Sequence, residues 1–258
     1  MSDSILFSVD AGLARVTFNR PASLNAMDFE MGERWRDIAR AVAVDPGIGA
    51  VILDAAGPAF CAGGDVVAMS TSGADGAAVT EAAGVIHEGI RIFSEIPVPI
   101  VAAVQGAVAG GGLGLMLAAD YIVAADGAKF VSKYANIGLT PDLGVSTLLP
   151  AAIGQRRALQ LLLQDRTLDA HEAQAWGLVA EVVPAADLAD RAEAVARSWL
   201  GGATAAFGQA KRLVRTGAGR SFPENLDDEA ATIGAAFDTP DARARVGAFA
   251  AASAKTQR

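Results

Sequence analysis

Two apolar-rich runs, Leu6 to Val9 and Leu13 to Phe18, flank Asp10-Ala11-Gly12, the pattern of two strands joined by a tight turn. Asn19-Arg20-Pro21 breaks the second run. Beyond it, Met31, Trp35, Ile38 and Val42 recur at intervals of four, three and four residues, one apolar stripe of an amphipathic helix. Asp28 stands where it can cap that helix, and Asp45-Pro46-Gly47 stops it. Ala50 to Leu53 is a short continuous apolar run, which predicts a strand buried on both faces. A loop dense in Gly and Ala follows from Ala55 to Asp65, and residues 70–78, polar and rich in small side chains, read as a mobile surface loop.

The order strand, loop, helix then repeats: a helix from about Thr80 to Phe93, a buried strand from Ile100 to Val104, a helix from Gly110 to Ala119 after a glycine turn, and a strand from Tyr121 to Ala124. Asp169 with Glu172 three residues on forms a capping box for a short helix that Gly177 ends, and Val179 to Val183 closes the mixed region. Past Pro184 the chain is alanine-rich and helical in period, with breaks at Gly201-Gly202, Gly217 to Gly219 and Pro240. The pattern predicts an α/β body over 1–184 and a helical region over 185–258. Ile96 to Ala119 carries no charge, but Pro97, Pro99, Gln105 and the glycines make it a buried strand, a turn and a buried helix rather than a membrane span.

Composition narrows what such a fold can do. Of 258 residues 52% are hydrophobic and 19% charged, which excludes a disordered chain. A net charge of −8 argues against a nucleic-acid partner and against anionic membranes. Cys61 is the single cysteine, so no intramolecular disulfide forms; it reads as buried and inert. His87 and His171 lack ligand spacing, so no metal site is expected, and His171 reads as a surface residue. The first residues lack a basic region and a continuous apolar stretch, which points to the cytoplasm.

Two glycine turns carry the candidate chemistry. Gly110-Gly111-Gly112-Leu113-Gly114 opens an apolar helix directly after a buried strand, where backbone N–H groups lack helical partners and can face developing negative charge. No Lys-Ser/Thr follows and the spacing is not G-x-G-x-x-G, so neither phosphate-binding motif fits. Phe60-Cys61-Ala62-Gly63-Gly64-Asp65 is the second such turn. The two could converge on one carbonyl oxygen as an oxyanion hole, or could be unrelated tight turns.

Val16 to Pro21 with Leu24-Asn25-Ala26-Met27, Ala59 to Asp65, Pro99 to Gly106 running into the triple glycine and Ala119-Asp120, and Ala173 to Val179 together resemble the crotonase (enoyl-CoA hydratase/isomerase) superfamily over nearly the whole chain, in the family's order. The resemblance implies an α/β fold, a spiral of ββα repeats with a helical C-terminal trimerisation region. It implies an acyl-CoA thioester as partner, no separate cofactor, and a homotrimer or dimer of trimers. By position the oxyanion donors are Gly64 and Gly111, next to Gly110. Ala22, Leu24, Ala62, Asp65 and Val66 occupy positions lining the CoA channel, and Lys211 with Arg212 could meet CoA phosphates.

Hydratases of the family carry one glutamate three residues after the oxyanion glycine and another twenty residues later; here Gly114 and Tyr134 stand there. Instead Gly138-Leu139-Thr140-Pro141-Asp142 resembles the Gly-Leu-x-Pro-Asp segment of Δ3,Δ2-enoyl-CoA isomerases and the epoxyphenylacetyl-CoA isomerase group, which implies Asp142 as proton carrier. Without that likeness, Pro141-Asp142 reads as a simple turn. Asp142 and His87 also match the nucleophile and water-activating histidine of 4-chlorobenzoyl-CoA dehalogenase, while of that enzyme's aromatic walls only Tyr134 is present. The expected activity is therefore an acyl-CoA isomerase. The alternatives are a dehalogenase-like hydrolase, a family member with atypical or no hydratase activity, and a non-catalytic acyl-CoA-binding trimer.

Overall fold

The computed structural model describes residues 3–256. Strands β1 (Ile5–Asp10) and β2 (Leu13–Phe18) form the expected antiparallel hairpin, its turn made by Ala11 and Gly12, both at positive φ. Helix α1 (Phe29–Val44) starts where the Asp28 carboxylate accepts the Met31 N–H at 2.9 Å, and its stripe Met31, Trp35, Ile38 and Val42 is buried. The chain continues through β3 (Ala50–Ala55), α2 (Val66–Thr71), α3 (Gly76–Glu95), β4 (Ile100–Val104), β5 (Ala107–Ala109), α4 (Gly111–Leu117), β6 (Tyr121–Ala125) and β7 (Lys129–Val131). Then follow α5 (Val145–Ile153), α6 (Gln155–Leu163), β8 (Thr167–Asp169), α7 (Ala170–Trp176), β9 (Glu181–Val183), α8 (Leu188–Gly201), α9 (Thr204–Gly217), α10 (Phe222–Phe237) and α11 (Pro240–Thr256).

One sheet runs β1-β2-β3-β4-β6-β9, parallel beyond the first hairpin; a smaller one runs β5-β7-β8. Successive turns of the chain give one strand to each sheet, β4 then β5 and β6 then β7, which is the spiral the sequence implies. The preceding turn gives β3 and then a single parallel bridge, Cys61 to Val108. The uncharged segment is thus β4, β5 and a seven-residue helix, and among the described residues no helix is long and apolar enough to cross a membrane.

Both faces of the large sheet are covered, as a mainly parallel sheet requires. On one face Phe18, Trp35, Phe60 and Phe93 stack edge to face or tilted, with centroids 4.7–5.9 Å apart. On the other, Leu188, Ala192, Val195 and Ala196 of α8 pack on Leu13, Ile52, Val101 and Val123. Helix α8, at the start of the helical region 185–258, completes this side of the core. One correction concerns residues 70–78. They hold the end of α2, a turn, and the first three residues of α3, whose N-terminus Asp75 caps by accepting the Ala78 N–H.

Helix α9 is anchored by Lys211, which was expected to face CoA phosphates and does not. It is 8% exposed, and its ammonium donates to the carbonyls of Phe93 at 2.6 Å and Val98 at 2.9 Å and pairs with Asp120 at 3.0 Å. Arg212 is likewise engaged, with Asp228 and Thr232. The alanine-rich period marks a helix but not which side a neighbour will cover.

Burial pulls the Lys211 ammonium down to about 8, against the opposing pull of Asp120. The unfolded chain keeps this proton up to the ordinary lysine range near ~10.4, so between the two values the unfolded state binds more protons and this group makes stability rise with pH. Urea melts at pH 7.5 and 9.5 should show that rise diminished in Lys211→Met relative to the parent. At pH 7.5 the variant should lose about 2 kcal/mol, because two buried carbonyls are left without a donor.

Candidate active site

The turn Phe60–Asp65 is fixed from both sides. Phe60 and Cys61 donate their N–H groups to Gln105 and Ala107, and Ala109 donates back to Cys61, holding the turn against β5. Across it, Met27 N–H donates to Gly63 and Asp65 N–H to Met27, a short parallel bridge centred on Gly64. In such a bridge the central residue's own N–H points away from the partner. The Gly64 N–H accordingly has no hydrogen-bond partner among the described residues. Gly111 opens α4 and its N–H is also unpartnered among them, as a first-turn amide is.

The two glycine turns lie against each other. A Cβ built on Gly63 would stand 3.3 Å from the Gly111 nitrogen and 2.9 Å from the Ala109 carbonyl. Gly110 sits at φ 51°, ψ −122°, a conformation closed to side chains, and its N–H donates to Val131. The two glycine turns are therefore neighbours in the fold rather than unrelated turns in separate places.

Asp142 lies between β7 and α5 in a turn that Val145 N–H closes onto its carbonyl at 2.9 Å. Leu143 and Gly144 continue it at φ 50° and 78°. The Tyr134 hydroxyl donates to Asp142 Oδ1, and the Leu143 N–H donates to His87 Nε2 on α3 at 3.1 Å. The turn rests on the glycine face of α4: a Cβ at Gly114 would stand 2.1 Å from the Leu143 carbonyl oxygen, and one at Gly111 would stand 2.7 Å from Leu143 Cδ1 and 3.7 Å from the Tyr134 hydroxyl. Asp142, Tyr134, His87 and Gly111 therefore gather around Leu143, beside the Gly63-Gly64 turn. Pro141 is half-buried at the start of the same turn.

Burial, reinforced by the charge of Asp142, holds the Tyr134 phenol well above its ordinary range, so its hydroxyl remains a donor. Burial also pushes the Cys61 thiol up to about 12, partly offset by the Gly63 N–H, so the sulfur stays a neutral thiol in the floor of the turn. His87 is correspondingly constrained. As acceptor at Nε2 it is the neutral tautomer with its proton on Nδ1, and the edge left over is a donor. A water-activating role for His87 would require the Leu143 bond to break first.

The expected CoA-channel positions Ala22, Leu24, Ala62, Asp65 and Val66 form one rim beside Gly64. Ala62 N–H donates to the Leu24 carbonyl at 3.0 Å, and Leu24 and Val66 are exposed. The Asp65 carboxylate faces inward: it accepts the Ala68 N–H and pairs with Arg20 at 3.0 Å, which together hold its pKa below the usual range, so only its backbone faces the rim. Asn25 belongs to the Leu24-Asn25-Ala26-Met27 motif, which by itself assigns it no role. Buried at φ 55°, it donates to the Ala56 and Ala59 carbonyls and accepts the Arg20 N–H, tying the rim loop to the Gly64 loop. Among the described residues no group of three or more His, Cys, Asp or Glu side chains could hold a metal ion.

The profile of the family described as "Enoyl-CoA hydratase/isomerase" matches residues 8–254. The 1,2-epoxyphenylacetyl-CoA isomerase of Escherichia coli is 33% identical over 256 residues, covering 97% of each chain. A Mycobacterium tuberculosis protein named "Probable enoyl-CoA hydratase echA8" is 34% identical over 250 residues, 96% of this chain and 95% of the other. The 4-chlorobenzoyl coenzyme A dehalogenase-2 of Arthrobacter is 31% identical over 240 residues, 92% and 87%. The crystal structure of an enoyl-CoA hydratase/isomerase from Cupriavidus metallidurans superposes with a TM-score of 0.88 at 31% identity, covering 96% of this chain and 94% of that one. With its profile matched almost end to end and the spiral of two sheets in place, this chain belongs to the enoyl-CoA hydratase/isomerase family, in the crotonase superfamily.

Proposed function

We propose that the protein is an acyl-CoA isomerase that shifts a double bond through a thioester enolate, with Asp142 as its single acid/base. The observation that carries this reading is the contact at Gly114: the backbone of the Asp142 turn fills the space a side chain at 114 would need. The site thus has one carboxylate on the Asp142 turn, and Tyr134, at the other hydratase-glutamate position, donates to that carboxylate. Paired-carboxylate addition of water lacks both its groups.

The chemistry follows from this arrangement. Asp142 takes a proton from C2 of a 3-enoyl thioester, and the electron pair spreads over C2, C4 and the carbonyl oxygen. The Gly64 and Gly111 N–H groups stabilise that oxygen, each such donor being worth about 3 kcal/mol. The same carboxyl group returns the proton to C4, leaving a 2-enoyl thioester with no water consumed. The CoA moiety lies along the rim from Ala22 to Val66. Exposed Phe222, Ile233, Phe237, Val246 and Phe249 on α10 and α11 support association of copies into a trimer, whose mass sedimentation equilibrium reads directly.

A panel of 2-enoyl, 3-enoyl and aryl CoA thioesters in D2O tests the reading. The expected result is interconversion of the 2- and 3-enoyl esters with deuterium entering at C2 or C4. Hydration of the 2-enoyl ester as the faster reaction would overturn it, as would release of halide from a halogenated aryl ester.

A further inference from the structure

We propose that Tyr134 and His87 are positioning residues that clamp Asp142 from two sides, so that one carboxylate oxygen is held and the other carries the proton. The inference rests on Asp142 being the base. Tyr134 occupies Oδ1, and Oδ2 has no hydrogen-bond partner among the described residues. His87 acts one residue further on. By accepting the Leu143 N–H at 3.1 Å it fixes a left-handed, non-glycine residue, a conformation that tertiary contacts must maintain. Without that acceptor the turn can relax, and Asp142 moves with it. The phenol holds the carboxylate and the imidazole holds the next residue's N–H, from two separate elements, the segment after β7 and α3.

The arrangement assigns different chemistry to the two residues than their positions suggest. Tyr134 faces the carboxylate rather than serving only as a wall for the acyl group. His87 works as an acceptor and transfers no proton. The titratable groups packed around the base are Tyr134 on its own loop, His87 on α3, and Cys61 beneath the glycine helix, where a Cβ at Gly112 would meet the Cys61 carbonyl at 2.3 Å. Of these only the Tyr134 hydroxyl donates to the carboxylate.

Four variants, Asp142→Asn, Tyr134→Phe, His87→Gln and His87→Leu, are compared with the parent by deuterium exchange into a 3-enoyl-CoA and by kcat and KM measured separately. Tyr134→Phe should lower kcat roughly tenfold to a hundredfold with KM near the parent's. His87→Leu should lower kcat by a similar factor, while His87→Gln, which keeps an acceptor near the Nε2 position, should return to within a few-fold. The clamp is wrong if Asp142→Asn is inert but Tyr134→Phe keeps the parent's kcat, or if His87→Gln is as impaired as His87→Leu, the result a proton-transferring histidine gives. Exchange that survives in Asp142→Asn fails the underlying assignment of the base instead.

Discussion

Asp142→Asn is expected to remove measurable double-bond isomerisation and α-proton exchange, lowering kcat by on the order of a thousandfold or more, with acyl-CoA still bound. General acid–base catalysis by one placed group typically contributes 10²–10⁴-fold, and no second carboxylate on this turn is available to substitute. Asparagine keeps the shape and can still accept from Tyr134, so the turn, the glycine N–H groups and the rim should survive. Binding measured with a saturated acyl-CoA by calorimetry should change little. The same experiment bears on catalysis against bare binding: turnover of any enoyl-CoA that depends on Asp142 eliminates the reading of a non-catalytic acyl-CoA-binding protein. If Asp142→Asn keeps more than about a tenth of the parent's exchange rate, the base lies elsewhere.

Gly114→Glu, which restores a glutamate to the hydratase position, should not create a hydratase. Its Cβ alone would stand 2.1 Å from the Leu143 carbonyl oxygen and 2.8 Å from the Leu143 Cβ, far inside contact distance, and the nearest obstacle is backbone. Either α4 moves off the turn or the turn leaves α4. Overpacking of a close-packed site costs about 1–3 kcal/mol and sometimes more, and the end that yields here carries Asp142. Gly114→Ala should therefore already depress both the melting temperature and kcat, with Gly114→Glu worse on both. Differential scanning fluorimetry and the exchange assay measure these; a stable Gly114→Glu variant that hydrates 2-enoyl-CoA would show that the turn is soft and that the hydratase chemistry was only one side chain away.

Much of the frame was legible in the chain. The Met31-Trp35-Ile38-Val42 stripe, the Asp28 and Asp169 caps and the β-runs at 50–53 and 100–104 each rest on a period or a cap that neighbours in sequence supply, and each appears in the structure. What failed did so for want of distant partners. Residues 70–78 are small and polar, yet Asp75 starts a long helix within them, since capping outweighs composition when a buried face follows. Lys211 reads as a cation free to meet CoA phosphates, and only the approach of the end of α3 and the segment before β4 makes it a buried anchor. The role of Asn25 is set by contacts more than thirty residues away, invisible to any local pattern.

The candidate site divides the same way. The sequence by itself determined its ingredients: two glycine turns after buried strands, one carboxylate after Pro141, and no glutamate at the two hydratase positions. These are properties of residue type and order. Only the tertiary structure decided that the turns meet, that the backbone of the Asp142 turn takes the room a side chain at 114 would need, and that Tyr134 and His87 hydrogen-bond to Asp142 and its neighbour Leu143. Those outcomes depend on ångström-scale approach between segments far apart in the chain, here Gly63 against Gly111 and Leu143 against Gly114 and His87, and close packing fixes such distances where a one-dimensional pattern carries none of them.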